Sequence, residues 1–323
     1  MRDHGGNLDA AMARYGGHDW IDLSTGINRR PYPVPDMPDT VWTALPTQSA
    51  KSRLIDTARN AWSVASQTKA LSLAGAQAAI QLVPLLRPVG RACVLTPTYN
   101  EHSACLCAHG WQVTESATLA ELAGADLAVV VNPNNPDGQD WTPDQLLNLA
   151  QTVGFLVVDE SFADAMPELS LLPRDLPPNV LVLRSFGKFY GLAGIRLGFA
   201  FGAASVIDRL DALSGPWPAP GPALYIGAQA IGDVAWAKQT RLLLMSDMER
   251  ADHLALSAGW TVVGGTPLFR LYHTPDAIAA QEHLAQHRIW SRIFPDSRHW
   301  LRLGLPGAAA EWDRLKSALE RCG

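Results

Sequence analysis

An α/β fold, with a mainly parallel sheet between helices and a smaller α+β lobe after it, is predicted by three features of the chain. Short, wholly apolar runs recur at 127–131, 155–158 and 180–183, the pattern of strands buried on both faces of a parallel sheet. Stretches with helical spacing, near 54–62, 77–86 and 143–151, alternate with strand-like runs, as strand–helix–strand units require. After residues 214–222, where four of nine residues are proline, the order changes to a long helix, paired strands and a final helix.

A length of 323 residues allows one large domain and a smaller one. The expected division is an N-terminal arm over 1–30, a large domain over 31–222, and an interlobe helix with a small domain over 223–323. Hydrophobic residues make up 47% and charged residues 18% of the chain, which excludes a disordered one. A net charge of -5 argues against a nucleic-acid partner held by a basic surface. The opening residues lack the apolar core of a signal peptide, and no later run reaches membrane-spanning length, so a cytoplasmic protein with no membrane partner is expected. Cys93, Cys105, Cys107 and Cys322 have no paired spacing and read as reduced thiols.

Residues 1–45, rich in Gly, Pro, Asp and Asn, read as an extended loop. Within it His4-Gly5-Gly6-Asn7 and Ser24-Thr25-Gly26-Ile27-Asn28 have the small polar residues of a segment that wraps a ligand. A strand tip at 70–73 leads through Gly75-Ala76-Gln77 into a helix, a geometry that offers free N–H groups to an anion. The strand at 92–95 is followed by Tyr99, which could stack on a flat ring. The run 127–131 ends in the rigid turn Asn132-Pro133-Asn134-Asn135-Pro136-Asp137-Gly138. The run 155–158 ends in Asp159-Glu160, and a carboxylate placed there demands a cationic partner, such as a protonated pyridine nitrogen. Further on, a helix is expected over 235–258, strands near 260–263 and 267–272, a helix near 276–287, strands near 289–293 and 299–303, and a last helix over 308–321. His283 and His287 share a helical face, which reads as solvated rather than as a metal pair.

The segment from Ser185 to Gly198 holds Lys188 just past a strand end, where open α/β sheets gather their sites. Ser185, Arg196 and several glycines surround it. An amine, a hydroxyl and a guanidinium together suit a phosphorylated aldehyde cofactor, the amine bonding the aldehyde carbon and the others holding the phosphate. It is no nucleotide P-loop, since neither Ser nor Thr follows the lysine.

In order, Gly75-Ala76-Gln77, Tyr99, Asn135-Pro136-Asp137-Gly138, Asp159-Glu160, Ser185 with Lys188, and Arg196 resemble the signature of the fold-type I pyridoxal phosphate enzymes, the aspartate aminotransferase superfamily. The resemblance implies that Lys188 carries pyridoxal 5'-phosphate and Asp159 pairs with its ring N–H. It also implies that Asn135 bonds the ring hydroxyl, Tyr99 stacks on the ring, and Gly75, Ala76, Gln77, Ser185 and Arg196 cradle the phosphate.

Two branches are similar: histidinol-phosphate aminotransferases, and the threonine-phosphate decarboxylases of cobalamin synthesis. The His4-Gly5-Gly6-Asn7 opening, the 22–28 segment and Phe162, where transaminating relatives usually have tyrosine, resemble the decarboxylases. By that resemblance His4, Gly5, Gly6, Asn28, Asn135, Arg292 and Arg302 bind a small phosphorylated amino acid, and the chain forms a homodimer. Leu45 departs from the family's tyrosine, which reaches the neighbouring subunit's cofactor phosphate; leucine cannot make that hydrogen bond. Asn135-Pro136-Asp137-Gly138 departs more mildly from the usual Asn-Pro-Thr-Gly. A cofactor-binding regulator is the reading from another class, and the lysine, aspartate and arginines together favour turnover over it.

Overall fold

The strands Leu127–Val131, Leu156–Asp159 and Val180–Ser185 are apolar along almost their whole length and lie side by side at the centre of a seven-stranded sheet. We describe residues 4–320 of a computed structural model; Cys322 lies outside the described residues. Across the sheet the order is Lys69–Leu73, Gly198–Gly202, Val180–Ser185, Leu156–Asp159, Leu127–Val131, Arg91–Leu95 and Gln112–Ser116. Gly198–Gly202 runs against both its neighbours, and the remaining pairings are parallel. The parallel strands therefore end on one side, and Asp159 and Ser185 are the last residues of two adjacent ones.

Alternation along each strand divides the core. Leu181 and Leu183 join Val129, Val157, Phe155 and Ala200 in one apolar cluster that also takes in Ile80, Leu106 and Leu210 from covering helices. Arg184, one residue on, goes to the opposite face. There its guanidinium is ion-paired with Glu160 (3.1 Å) and Asp164 (3.2 Å) and lies over the Trp62 ring. These three buried ionisable groups partner one another: Glu160, which burial pushes up, also accepts from the Ser170 hydroxyl and the Leu171 N–H, and Asp164 from the Trp62 indole.

The chain forms two compact units. One comprises the described residues up to Pro31, Pro136–Gly138, and those from Lys238 onward; the other comprises Tyr32–Asn135 and Gln139–Ala237. The seven-stranded sheet belongs to the second. The first carries a four-stranded sheet, Arg292–Phe294, Ser297–Gly304, Phe269–His273 and Thr261–Thr266 in that order, and the two-stranded pairing of Ile21–Asp22 with Ile289–Trp290.

Among the described residues up to 45, the expected loop holds for most of 16–39 but is interrupted by two helices. Leu8–Tyr15 is a helix whose first turn is closed by Asn7, its side chain accepting from the Ala10 N–H at 3.2 Å. Asp9 and Arg14 sit at the ends that the helix dipole favours. A second short helix spans Thr40–Thr43. The helix expected from 54 begins earlier, as Gln48–Ala61, because the Thr47 hydroxyl caps it while Gln48, Ser49, Lys51 and Arg53 carry no apolar period. His283 and His287 do not form a solvated face: both rings are half-buried and bonded to backbone carbonyls, of Ala318 and His283 respectively. No helix among the described residues is long and apolar enough to cross a membrane.

Candidate active site

In the sheet-bearing unit, the site is assembled from strand ends. Asp159 closes the strand Leu156–Asp159 and is 2% exposed. Its Oδ2 meets His102 Nε2 at 2.9 Å, and its Oδ1 accepts from the Ser161 N–H (2.9 Å) and hydroxyl. Burial alone would raise this carboxyl; the hydrogen bond and charge of His102, then the Ser161 donors, outweigh it and hold the group below the usual carboxylate range. A buried carboxylate kept ionised at the end of a central strand suits a cationic heterocycle.

His102 and Ser161 were not singled out in the sequence, though each left a signal. His102 lies three residues after Tyr99 at the start of the helix Glu101–Ala108, spaced to reach the same side. Ser161 stands two residues after an aspartate, the spacing at which a carboxylate folds back on the following N–H. Tyr99 meets the His102 ring edge-on at 6.1 Å. Its hydroxyl donates to Gln77 Oε1 at 3.1 Å, and the same amide donates to Glu101 at 3.1 Å. Burial, then the negative charges of Glu101 and Asp159, push the Tyr99 phenol up to about 12, so it stays a neutral donor.

Replacing His102 by phenylalanine tests this arrangement, since the ring remains and the Nε2 contact is lost. The expected result is a fall in kcat of about tenfold, the size of one charge-assisted hydrogen bond. The acid limb of the pH–rate profile should also move to higher pH, because without His102 burial dominates and Asp159 takes up a proton sooner. An acid limb that stays in place would remove His102 from this role.

Lys188 is half-buried in the short helix Phe186–Phe189, which follows directly on the strand ending at Ser185, and its Nζ is 5.6 Å from the centre of the buried Phe162 ring. Gly75 precedes the helix Ala76–Leu82 with φ +83°, and a Cβ there would come within 2.7 Å of Arg196 Nη2. That position admits only glycine at no steric cost. It brings the guanidinium against the helix start, where the first N–H groups, Ala76 and Gln77 among them, have no acceptor within the helix. Arg196, itself exposed with φ +56°, is steadied by a 3.0 Å bond from Nη1 to the Ala193 carbonyl. In the turn after Leu127–Val131, Asn132 is committed to Trp141 and Leu169, and Asn134 to Thr98 and Pro97. The half-buried Asn135 follows them.

The other unit holds the second group of expected residues. Arg292 and Arg302 are register partners on adjacent antiparallel strands. Two like charges directly opposite are unfavourable unless an anion lies between them. Arg302 is buried, donates from Nη2 to the Ser24 carbonyl at 2.7 Å and lies over the Phe269 ring. Burial first, then Arg292, push it down to about 9, while Asp22 pulls the other way. A guanidinium keeps its proton in proteins, so an anion bound beside it would offset the cost of holding this cation. Asn28 is buried and accepts from the Arg30 N–H, and Gly6 donates to Ser24 Oγ. His4 is exposed.

The model of the family "Aminotransferase class I and II" matches residues 43–321. The chain belongs to that family. The chain is 39% identical to a threonine-phosphate decarboxylase of Pseudomonas aeruginosa, over 99% of this chain and 97% of that one. It is 40% identical to a threonine-phosphate decarboxylase of a Sinorhizobium species, over 98% and 97%. The fold of this class I and II aminotransferase chain is also that of the histidinol-phosphate aminotransferase of Sinorhizobium meliloti, solved in complex with pyridoxal-5'-phosphate. That likeness has a TM-score of 0.84 at 18% identity, covering 98% of this chain and 94% of the other.

For this family member the residues fit pyridoxal 5'-phosphate on three independent points. Asp159 is a buried, ionised carboxylate; Gly75, Arg196 and the start of the helix Ala76–Leu82 form a cradle that a Cβ would fill; and Lys188 presents an amine beside an apolar ring.

Proposed function

We propose that this chain decarboxylates L-threonine O-3-phosphate with pyridoxal 5'-phosphate as cofactor, giving CO2 and (R)-1-amino-2-propanol O-2-phosphate for cobalamin synthesis. The observation that carries the reading is similarity of about 40% to two threonine-phosphate decarboxylases over almost the full length of both chains. When bound, pyridoxal phosphate supplies an aldehyde that condenses with amines and a cationic ring that draws electrons from bonds at Cα.

The rest falls to the chain's own residues. Lys188 would hold the cofactor by its aldehyde carbon and, once free, would be the acid that delivers a proton to Cα. Asp159, kept ionised by His102 and Ser161, holds the proton on the ring nitrogen. Tyr99 would pack against the ring and Asn135 would donate to its hydroxyl. The N–H groups of Ala76 and Gln77, with Ser185 and Arg196, hold the cofactor phosphate.

Arg292 and Arg302 bind the substrate's two anionic groups, with His4, Gly5, Gly6 and Asn28 on the phosphate; a planar fork of donors suits carboxylate and phosphate alike. A carboxylate that must leave as CO2 is better oriented than gripped, since binding it tightly favours the ground state. Phe162, buried beside Lys188, supports decarboxylation over transamination, because its ring offers no hydroxyl to the cofactor. A homodimer in the cytoplasm is the form proposed, although Leu45, 64% exposed, cannot supply a hydrogen bond to a neighbouring subunit.

The test is a product analysis. Incubation with threonine phosphate alone should release CO2 and the amino alcohol phosphate in equal amounts, with no 2-oxo acid added. Consumption of histidinol phosphate that depends on 2-oxoglutarate, with no CO2 from threonine phosphate, would establish the aminotransferase reading instead.

A further inference from the structure

The segment 21–25 joins the two strands that carry the paired arginines. On one side the Ile21 N–H donates to the Arg288 carbonyl and the Leu23 N–H to the Trp290 carbonyl, both 2.8 Å, next to the strand bearing Arg292. On the other the Gly304 N–H donates to the Leu23 carbonyl at 2.7 Å, at the end of the strand bearing Arg302. At its centre is Ser24, fully buried, each of whose polar groups has a distinct task. Its carbonyl accepts from Arg302 Nη2 (2.7 Å), and its hydroxyl accepts from the Gly6 N–H (2.7 Å). Both its N–H (2.9 Å) and its hydroxyl (2.6 Å) donate to one oxygen of Asp22.

The contact with the 4–7 segment is close enough to fix residue type. A Cβ on Gly5 would lie 2.4 Å from the Ser24 carbonyl oxygen, so the glycine there is required by Ser24. One carboxylate therefore sets the conformation of a serine that holds a buried guanidinium through its carbonyl and the Gly5–Gly6 backbone through its hydroxyl. The negative charge of Asp22 also offsets part of the cost of burying Arg302.

We propose that Asp22 is a positioning residue for substrate-anion binding: acting through Ser24, it fixes the guanidinium of Arg302 and the Gly5–Gly6 backbone for the phosphorylated substrate. This rests on the decarboxylase reading above, which names the substrate but gives Asp22 and Ser24 no part. Asp22 touches neither substrate nor cofactor in this account. Its loss is therefore felt in substrate affinity and not in the chemistry at Lys188.

The experiment compares holoenzyme of the parent with Asp22→Ala, Asp22→Asn and Ser24→Ala. For Asp22→Ala the KM for threonine phosphate should rise about tenfold with kcat within about threefold, the loss of a charge-assisted hydrogen bond to ground and transition states alike. The visible cofactor absorbance should be unchanged. Asp22→Asn keeps an oxygen that accepts from the Ser24 N–H and hydroxyl, and should return KM to within about threefold of the parent. Ser24→Ala, which leaves the carbonyl to Arg302 but frees the Gly6 N–H, should raise KM by about threefold; it tests the same link if Asp22→Ala does not fold.

An unchanged KM in Asp22→Ala, or in Ser24→Ala where Asp22→Ala does not fold, overturns the proposal. So does a fall in kcat at constant KM, or an Asp22→Asn as impaired as Asp22→Ala. Calorimetric titration with threonine phosphate separates this proposal from the reading it rests on. If the parent binds but releases no CO2, the decarboxylase reading fails and the affinity ratio of parent to variant still decides the role of Asp22. If the parent does not bind, both fail.

Discussion

Lys188→Ala is expected to abolish CO2 release from threonine phosphate, a loss on the order of 10⁴-fold or more, and to yield protein without visible cofactor absorbance. The lysine follows directly on the strand Val180–Ser185, in a single helical turn whose apolar neighbours Phe186 and Phe189 are buried. Alanine is compatible with that turn, and the half-buried lysine side chain packs no core, so far-ultraviolet dichroism and the melting temperature should stay near those of the parent. Lys188→Arg separates the amine from its charge. Arginine preserves the cation beside Phe162 but offers no nucleophilic amine at neutral pH, and should be as inactive and colourless as alanine. If either variant kept the parent's absorbance band, Lys188 would not be the attachment point.

The features of the fold that could be read in the sequence were those written in apolar residues. The strands Leu127–Val131, Leu156–Asp159 and Val180–Ser185 are buried almost throughout, and so appear as the apolar runs 127–131, 155–158 and 180–183. Gln112–Ser116 is an edge strand with three of five residues exposed; its Gln, Thr and Glu carry no such signal, and it was not predicted. The helix Glu101–Ala108 was also missed, because it buries Glu101 and His102 as well as Cys105 and Leu106. Polar residues that face a site inward break the apolar period. Composition misled over Leu8–Tyr15, where the glycine and proline around it outweighed a cap at Asn7, and held for most of 16–39. The reversed direction of Gly198–Gly202 leaves no trace in a two-residue period.

At the candidate site, position relative to strand ends singled out Asp159 and Lys188, because an ionisable side chain after an apolar run demands a partner. What sequence could not distinguish was the fate of the adjacent carboxylates. Successive residues at a strand end point to opposite faces. Asp159 thereby meets His102, while Glu160 is turned to Arg184 and the fold's interior. Arg184 itself, charged and within the strand Val180–Ser185, is explained only by that pairing. The tie from Ser24 to Arg302 spans 278 residues of sequence, a separation at which local pattern carries no information about contact.

Asp159→Asn should lower kcat by about 10²- to 10³-fold, the range for removing one charge-stabilising group from a buried site, while the protein still takes up cofactor through Lys188 and the Gly75 cradle. Asparagine has almost the same shape and its oxygen can still accept from Ser161, so what is lost is the negative charge on the side facing His102 Nε2. Its effect on stability has a definite sign. The folded carboxyl is held below its usual range, so ionised Asp159 stabilises the fold fully above the unfolded value near 3.9, and that contribution is lost as pH falls through the folded value. Without an ionisable group there, the melting temperature of Asp159→Asn should fall less steeply than the parent's as pH is lowered below about 4. A variant whose kcat stays within about threefold of the parent would show that no cationic ring depends on this carboxylate. An acid profile that matched the parent's would place the titrating group elsewhere. Asp159→Glu provides the complementary control: it keeps the charge but is one methylene longer at a buried strand end, and should recover part of the turnover while costing about 1–3 kcal/mol of stability through overpacking.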